Sequence, residues 1–187
     1  MSGFAVRVGI PEDAEQIAAV FVETWRATYP GILPDRVLVK MSDEAQAFYW
    51  SRLLAARRAR EFVRVAVNAR GAVLGFGSAG PSRARGPREG EIYTLYVRPD
   101  FQNGGIGRAL VCALLQALRE RGCRQAMLWV LAANPSRFFY EAMGGKKSLE
   151  RSERLWGMDV AQIGYRWPDL ATLFADGGPC KRRTETR

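Results

Sequence analysis

One stretch of this sequence limits the fold more than any other. Residues 91–98 (EIYTLYVR) are crowded with aromatic and β-branched side chains, the composition of a strand. Pro99 ends that pattern, and the turn Gln102-Asn103-Gly104-Gly105-Ile106-Gly107 follows closely. Beyond it, Leu110, Val111, Leu114, Leu115 and Leu118 recur at helical spacing until Gly122 terminates the run. A glycine-rich turn feeding a helix leaves the first backbone N–H groups unpaired and aligned with the helix dipole. Such a turn is an anion site, and the glycines let phosphate oxygens come close to the backbone. Arg108 adds a cation at the same end. The turn lacks the Gly-Lys-Ser/Thr ending of a nucleotide-triphosphate loop. It is not the dinucleotide pattern G-x-G-x-x-G either, because Ala109 and Leu110 follow where that pattern needs glycine. A bare G-G-x-G is equally consistent with a tight turn that binds nothing.

The rest of the chain alternates short strands and helices. Phe4, Val6, Val8 and Ile10 have the two-residue period of a strand. Pro11, Glu12, Asp13 and Glu15 suit the start of a helix that carries Ile17, Val20, Phe21, Thr24 and Trp25. Pro30, Gly31 and Pro34 break it, and Ser42 is the expected cap of a second helix. Residues 61–68 and 72–79 read as strands of a hairpin, 80–90 as a loop, and 124–131 as a further strand. A short helix over 135–143 and two strands near 147–157 and 160–167 close the pattern. The expectation is one domain over residues 1–175 and a mobile basic tail over 176–187.

Several chemistries are excluded by composition. The 187 residues include no histidine, so Ser-His-Asp, Cys-His and His-ligated metal sites cannot exist. Cys112, Cys123 and Cys180 are too widely spaced for a C-x-x-C motif, and their odd number argues against a disulfide framework. No metal is expected, and a reducing, cytoplasmic setting is the default. No apolar stretch reaches the ~18–20 residues that would cross a bilayer. Chemistry must then come from carboxylates, tyrosines, backbone amides or a bound coenzyme.

Gln102-x-x-Gly105-x-Gly107, after LYVRPDF, resembles the Q/R-x-x-G-x-G/A signature of the GNAT superfamily of acetyl-CoA-dependent N-acyltransferases. The resemblance extends to PEDAEQI, Trp25, the run Tyr29-Pro30-Gly31-Ile32-Leu33-Pro34, Asn134-Pro135, Phe139-Tyr140-Glu141 and the closing Gly164–Leu170. It implies an α/β (mixed α+β) fold, with a strongly twisted mixed sheet of six to seven strands flanked by about four helices. It also implies a V-shaped opening between the fourth and fifth strands, and acetyl-CoA as co-substrate.

Residue by residue, the resemblance puts the coenzyme pyrophosphate on amides of Gln102, Asn103, Gly104, Gly105, Ile106, Gly107 and Arg108. Leu95, Tyr96 and Val97 would offer backbone groups to the pantetheine arm, with Val97 N–H as a small oxyanion hole. Tyr140 matches the tyrosine that protonates the departing thiolate, and Asn134 a coenzyme contact. Glu91 is the candidate general base because Glu91, Tyr93, Leu95 and Val97 share one face of a regular strand; the alternative is a solvated strand-end charge. Trp129 stands where some relatives carry a catalytic glutamate, and Glu141 reads as an exposed helix residue. Trp25, Tyr29, Tyr93 and Trp129 are candidates for an acceptor pocket, or else core aromatics.

Lys and Arg number 28 against 19 acidic residues, a net charge of +9. The excess gathers in Arg52, Arg57, Arg58, Arg60 and Arg64, in Arg83, Arg85 and Arg88, and in Lys181-Arg182-Arg183. No aromatic platform accompanies these patches, so nucleic acid is not the expected partner; a solvated surface that attracts a polyanionic coenzyme is. The expected activity is acetyl transfer from acetyl-CoA directly to a primary amine of a small molecule or peptide. The competing reading is a coenzyme-binding or nucleic-acid-binding module without turnover. The closing strands are compatible with a homodimer.

Overall fold

The computed structural model of the chain describes residues 3–56, 60–83 and 88–181. Arg57, Arg58, Arg85 and the Arg182-Arg183 end of the expected basic patches lie outside the described residues.

Seven strands share one sheet: β1 (Phe4–Val8), β2 (Phe62–Asn68), β3 (Val73–Pro81), β4 (Glu89–Val97), β5 (Gln125–Leu131), β6 (Lys146–Leu155) and β7 (Met158–Trp167). They lie in the order β1-β2-β3-β4-β5-β7-β6, and every neighbouring pair is antiparallel except β4–β5. The helices are α1 (Ala14–Thr28), α2 (Asp35–Val39), α3 (Asp43–Ala55), α4 (Ile106–Glu120) and α5 (Arg137–Ala142). The described residues thus hold five α-helices where about four were expected. The addition is α2, a single short turn behind Pro34, too brief to leave a periodic signal in the sequence.

Helices cover both faces of the sheet. On one, Ile17 and Val20 of α1 and Trp50 of α3 pack against Val63, Val65 and Phe76. On the other, Leu114, Leu115 and Leu118 of α4 pack against Ile92, Ala126 and Leu128. Each such leucine contributes about 1.5–3 kcal/mol relative to exposure, so the amphipathic period of α4 dictates which way the helix lies. Ser42 caps α3 as expected, accepting a hydrogen bond from Ala45 N at 3.2 Å.

At the start of α1, the Asp13 carboxylate accepts two hydrogen bonds from Arg7, at 2.7 and 2.8 Å, and one from Ile10 N at 2.9 Å. Burial pushes the Asp13 carboxyl up, but the Arg7 hydrogen bonds, the Ile10 amide and the Arg7 charge outweigh it, so it ionises more readily than usual. A folded pKa below the unfolded one gives stability that is complete above the unfolded value and lost as pH falls through the folded one. Asp13→Asn should therefore cost about 1–2 kcal/mol near pH 7. Urea unfolding at about pH 7 and about pH 3 checks this: the gap between variant and parent should narrow sharply in acid.

The cysteines overturn one expectation. Cys112 on α4 is bonded to Cys180, 68 residues later, and Cys123 is the free, buried third. An odd count left room for one bridge, and a pairing of this separation depends on tertiary proximity that spacing does not reveal. The bridge also changes the reading of the tail. Cys180 is buried, its N–H bonds Leu173 O, and Pro179 O accepts from Arg108 Nε at 2.8 Å. The described part of the tail, through Lys181, is accordingly fastened to α4; residues 182–187 lie outside the described residues. Among the described residues no helix is long and apolar enough to cross a membrane.

Candidate active site

The sheet opens where its one parallel pair ends. β4 and β5 are in register from Glu89↔Gln125 to Ile92↔Leu128, and no β4–β5 pair follows Ile92↔Leu128. Beyond that point β4 stays paired to β3 only. Arg98 N bonds Leu74 O, and hydrogen-bonded pairs alternate along an antiparallel ladder. Tyr96, opposite Phe76, therefore turns its backbone groups toward β3, while those of Leu95 and Val97 face the gap. The Leu95 backbone groups and the Val97 N–H thus have no strand partner on this side, while Val97 O accepts from Gln102 Nε2. Tyr96, against expectation, is paired to β3; it offers its side chain instead, packed edge-on to Phe21 at 5.2 Å.

A β-bulge just before this point reverses the expected face of Glu91. Ser78 pairs with Thr94 and Ala79 with Ile92, so Tyr93 is the extra residue. One extra residue switches the parity of everything before it: Ile92 and Leu95 both pack on the α4 face, and Glu91 turns to the opposite one. Its side chain is 2 % exposed and is held by Arg83 through the backbone N at 2.9 Å, Nε at 3.1 Å and a terminal nitrogen at 2.5 Å. Glu91 does not line the cleft. A carboxylate so fully engaged anchors the segment after β3, and this placement removes the geometric ground for choosing it as base.

Gap and glycine turn share one cavity of about 730 Å³. At one end lies the N-terminus of α4. Gly105, at φ +85°, precedes the helix without any side-chain cap, and Asn103 also adopts a positive φ of 60°. No side chain therefore competes for the first amides of α4, those of Ile106, Gly107 and Arg108. Gln102, Asn103, Gly105, Gly107 and Arg108 line the cavity; Gly104 and the buried Ile106 side chain do not. Gln102 Nε2 donates to Val97 O at 3.0 Å and ties the turn to the β4 edge. A Cβ on Gly105 would meet nothing within 4 Å, so the space before the turn is open to a ligand. The Arg108 side chain leans toward Pro179 O, which leaves its amide as its main contribution here.

The other end is aromatic. Trp25 lies 4.9 Å from Tyr29 and 5.8 Å from Trp156, ring centre to ring centre. Trp25, Tyr29, Tyr93 and Trp129, the four candidate acceptor residues, all line the cavity, and so does Asn134. Asn134 is buried; its Nδ2 donates to the Tyr29 hydroxyl at 3.3 Å and its Oδ1 accepts from Ser136 N at 2.9 Å. Its amide therefore orients Tyr29 as well as walling the cavity. Trp156 was absent from the sequence reading. It sits in the β6–β7 turn with a positive φ of 53°, and no spacing rule connects that turn to α1.

Tyr140, on α5, lines the cavity between the two ends and is 8 % exposed. Burial first, and then the neighbouring Tyr29, push its phenol well above the ordinary tyrosine range. Burial likewise raises Tyr29, partly offset by the Asn134 hydrogen bond. Both stay neutral and able to donate through the physiological range. Among the described residues no group of Cys, Asp or Glu is placed to hold a metal ion.

Comparison with known proteins accords with this geometry. The family model described as "Acetyltransferase (GNAT) family" matches residues 19–144. "Uncharacterized N-acetyltransferase YuaI" of Bacillus subtilis is 33% identical over 169 residues, 90% of this chain and 95% of that protein. The fold is similar to that of an N-acetyltransferase from Staphylococcus aureus, with TM-score 0.69, 20% identity, and 90% and 99% of the two chains covered. It is also similar to the PaiA N-acetyltransferase of Thermoplasma acidophilum in complex with coenzyme A, with TM-score 0.68, 19% identity, and 88% and 99% covered. A signature turn, a splayed parallel strand pair and a relative matched nearly end to end agree: the chain belongs to the GNAT family of acetyltransferases.

Proposed function

We infer that the cleft moves an acetyl group from acetyl-CoA directly onto a primary amine. The observation that carries this reading is the single cavity joining a pyrophosphate-ready helix N-terminus, an unpaired β4 edge and a buried phenol. The amides of Gln102 through Arg108 would hold the pyrophosphate, and Leu95 and Val97 the pantetheine arm. Val97 N–H would face the thioester oxygen, where negative charge develops. Tyr140 would donate to the departing sulfur. A thiolate is a good leaving group, so a neutral phenol suffices and histidine is not needed. The acceptor would be a small-molecule or peptide amine bearing an apolar or aromatic group, to match Trp25, Tyr29 and Trp156.

The test is release of free coenzyme thiol from acetyl-CoA with a panel of spermidine, 2-phenylethylamine, kanamycin, free amino acids and a short peptide. Amine-dependent release above the hydrolysis background is expected. Tight coenzyme binding with no release for any amine would instead support a module without turnover.

A further inference from the structure

Direct transfer requires that the amine, an ammonium near neutral pH, lose a proton before it attacks. With Glu91 turned away, the cleft needs another outlet for that proton. Two residues of neighbouring strands and the residue just before β2 supply one. Ser78 of β3 lies opposite Thr94 of β4, and their hydroxyl oxygens are 2.8 Å apart. Ser78 also lies opposite Val63 of β2, which makes Glu61, two residues earlier, its diagonal neighbour on the same face. Thr94 lines the main cavity. It also lines a second one, of about 370 Å³, together with Tyr49, Arg60, Glu61, Arg83 and Tyr93.

The direction of these hydrogen bonds follows from donor counting. A carboxylate only accepts, and the Ser78 hydroxyl acts to lower the Glu61 carboxyl, so the Ser78 proton is the one available to Glu61. The Ser78 oxygen then accepts from Thr94 at 2.8 Å. Thr94 Oγ1 accepts Ser78 N–H at 3.1 Å, and one lone pair is left for a donor in the cleft. This order of donors and acceptors lets each proton in the row move from the cleft toward Glu61.

We propose that Thr94, Ser78 and Glu61 form a proton relay that carries the acceptor ammonium's proton along one face of the sheet from the cleft to the second cavity. Thr94 is the residue that touches the amine; Glu61 is the terminal acceptor, acting through the two hydroxyls. In the step, the ammonium N–H bond breaks and its proton passes to Thr94 Oγ1. The Thr94 proton moves to Ser78 and the Ser78 proton to the Glu61 carboxylate, leaving a neutral amine, two intact hydroxyls and a protonated Glu61. Solvent in the second cavity then takes that proton. The second nitrogen proton, lost as the amide forms, balances the thiolate through Tyr140, so the reaction releases one proton net.

The surroundings of Glu61 fit a base. Burial raises it above an ordinary glutamate, against the lowering effects of the Ser78 hydrogen bond and the Arg83 charge. Tyr49 faces it from α3, Arg60 from the residue before it, Arg83 from beyond β3, and Tyr93, which also feels the Glu91 charge, from β4. The Tyr93 phenol, pushed up to about 12 by burial and the Glu91 and Glu61 charges, stays neutral and does not compete for the proton.

This relay rests on the transfer reading above, and the experiment separates the two. Rates of the parent, Glu61→Gln, Thr94→Val and Thr94→Ser are measured from about pH 6 to about 10 on the parent's best amine of the named panel. Glu61→Gln and Thr94→Val should each lower kcat about 10²-fold near pH 7 and recover toward the parent in alkali, where the amine deprotonates unaided. Thr94→Ser should keep most activity, and the Glu61→Gln/Thr94→Val double variant should be no slower than either single. Parent-like profiles for Glu61→Gln or Thr94→Val overturn the relay while leaving the transfer reading intact. So does a loss that is the same at every pH, or a double-variant loss equal to the product of the singles. A parent that acetylates no amine overturns both.

Discussion

Replacing Tyr140 with phenylalanine is expected to lower kcat by about 10²-fold while acetyl-CoA affinity changes by less than about twofold. The ring would keep its packing, 5.3 Å from Phe139 and 6.2 Å from Tyr165 between ring centres. The Tyr140 hydroxyl makes no hydrogen bond with the described residues, so its removal strands no protein group. Stability should therefore stay within about 0.5 kcal/mol of the parent, and the thermal midpoint reports this directly. The phenol is held above its ordinary range, and a thiol has a pKa near about 8.5, so complete transfer to sulfur is uphill unless another proton replaces it. Tyr140 would thus hand its proton to sulfur as it regains one from the nitrogen of the collapsing adduct. Because the phenol remains neutral, the parent's kcat should show no limb from Tyr140 below about pH 10. Steady-state kinetics paired with coenzyme titration decide the matter: equal losses in kcat and in coenzyme affinity would show that Tyr140 shapes the cavity rather than assisting the leaving group.

A valine at Gly105 should weaken acetyl-CoA binding by about 10²-fold, the loss of roughly two charge-assisted hydrogen bonds. Two effects combine there. The backbone φ of +85° is costly for any residue with a Cβ, by about 1–2 kcal/mol, and more so for a β-branched one. The added side chain would also project into the open space where the anion must approach the α4 amides. Gly104→Ala is the control that carries neither effect. Gly104 has no positive φ, and a Cβ there would meet only Phe101 O at an ordinary 3.6 Å, so the folded protein should barely register it. Calorimetric titration with acetyl-CoA beside thermal melting gives both quantities. A Gly105→Val protein that binds as tightly as the parent would mean that the pyrophosphate does not use this turn.

How much was readable depended on how far apart the partners lie in the chain. The strand, turn and helix of the proposed anion site occupy 89–120 without interruption, and their shapes follow from local rules: glycine torsions, unpaired N–H groups and a leucine period. The aromatic candidates were legible as types, and Trp25, Tyr29, Tyr93 and Trp129 do meet in one cavity. Glu91 was misjudged because face assignment along β4 assumed an unbroken period of two. The bulge at Tyr93 shifts that period by one residue, and its cause is the pairing with β3, not anything within β4. Trp156 and Cys180 were missed for the same reason: each acts on an element more than 60 residues away.

By itself, the sequence determined the strand, glycine turn and helix proposed to receive a phosphate-bearing coenzyme, the absence of histidine chemistry and the family resemblance. Each of these is a contiguous pattern or a count. The tertiary structure alone decided which carboxylate faces which cavity. It brought Glu61, just before β2, near Ser78 of β3 and Thr94 of β4, gave Glu91 to Arg83, and fastened the segment around Cys180 to α4 through Cys112. The physical reason is strand register. A one-residue shift in pairing moves a side chain to the other face of a sheet, and pairing between distant strands leaves no trace in the spacing of either one.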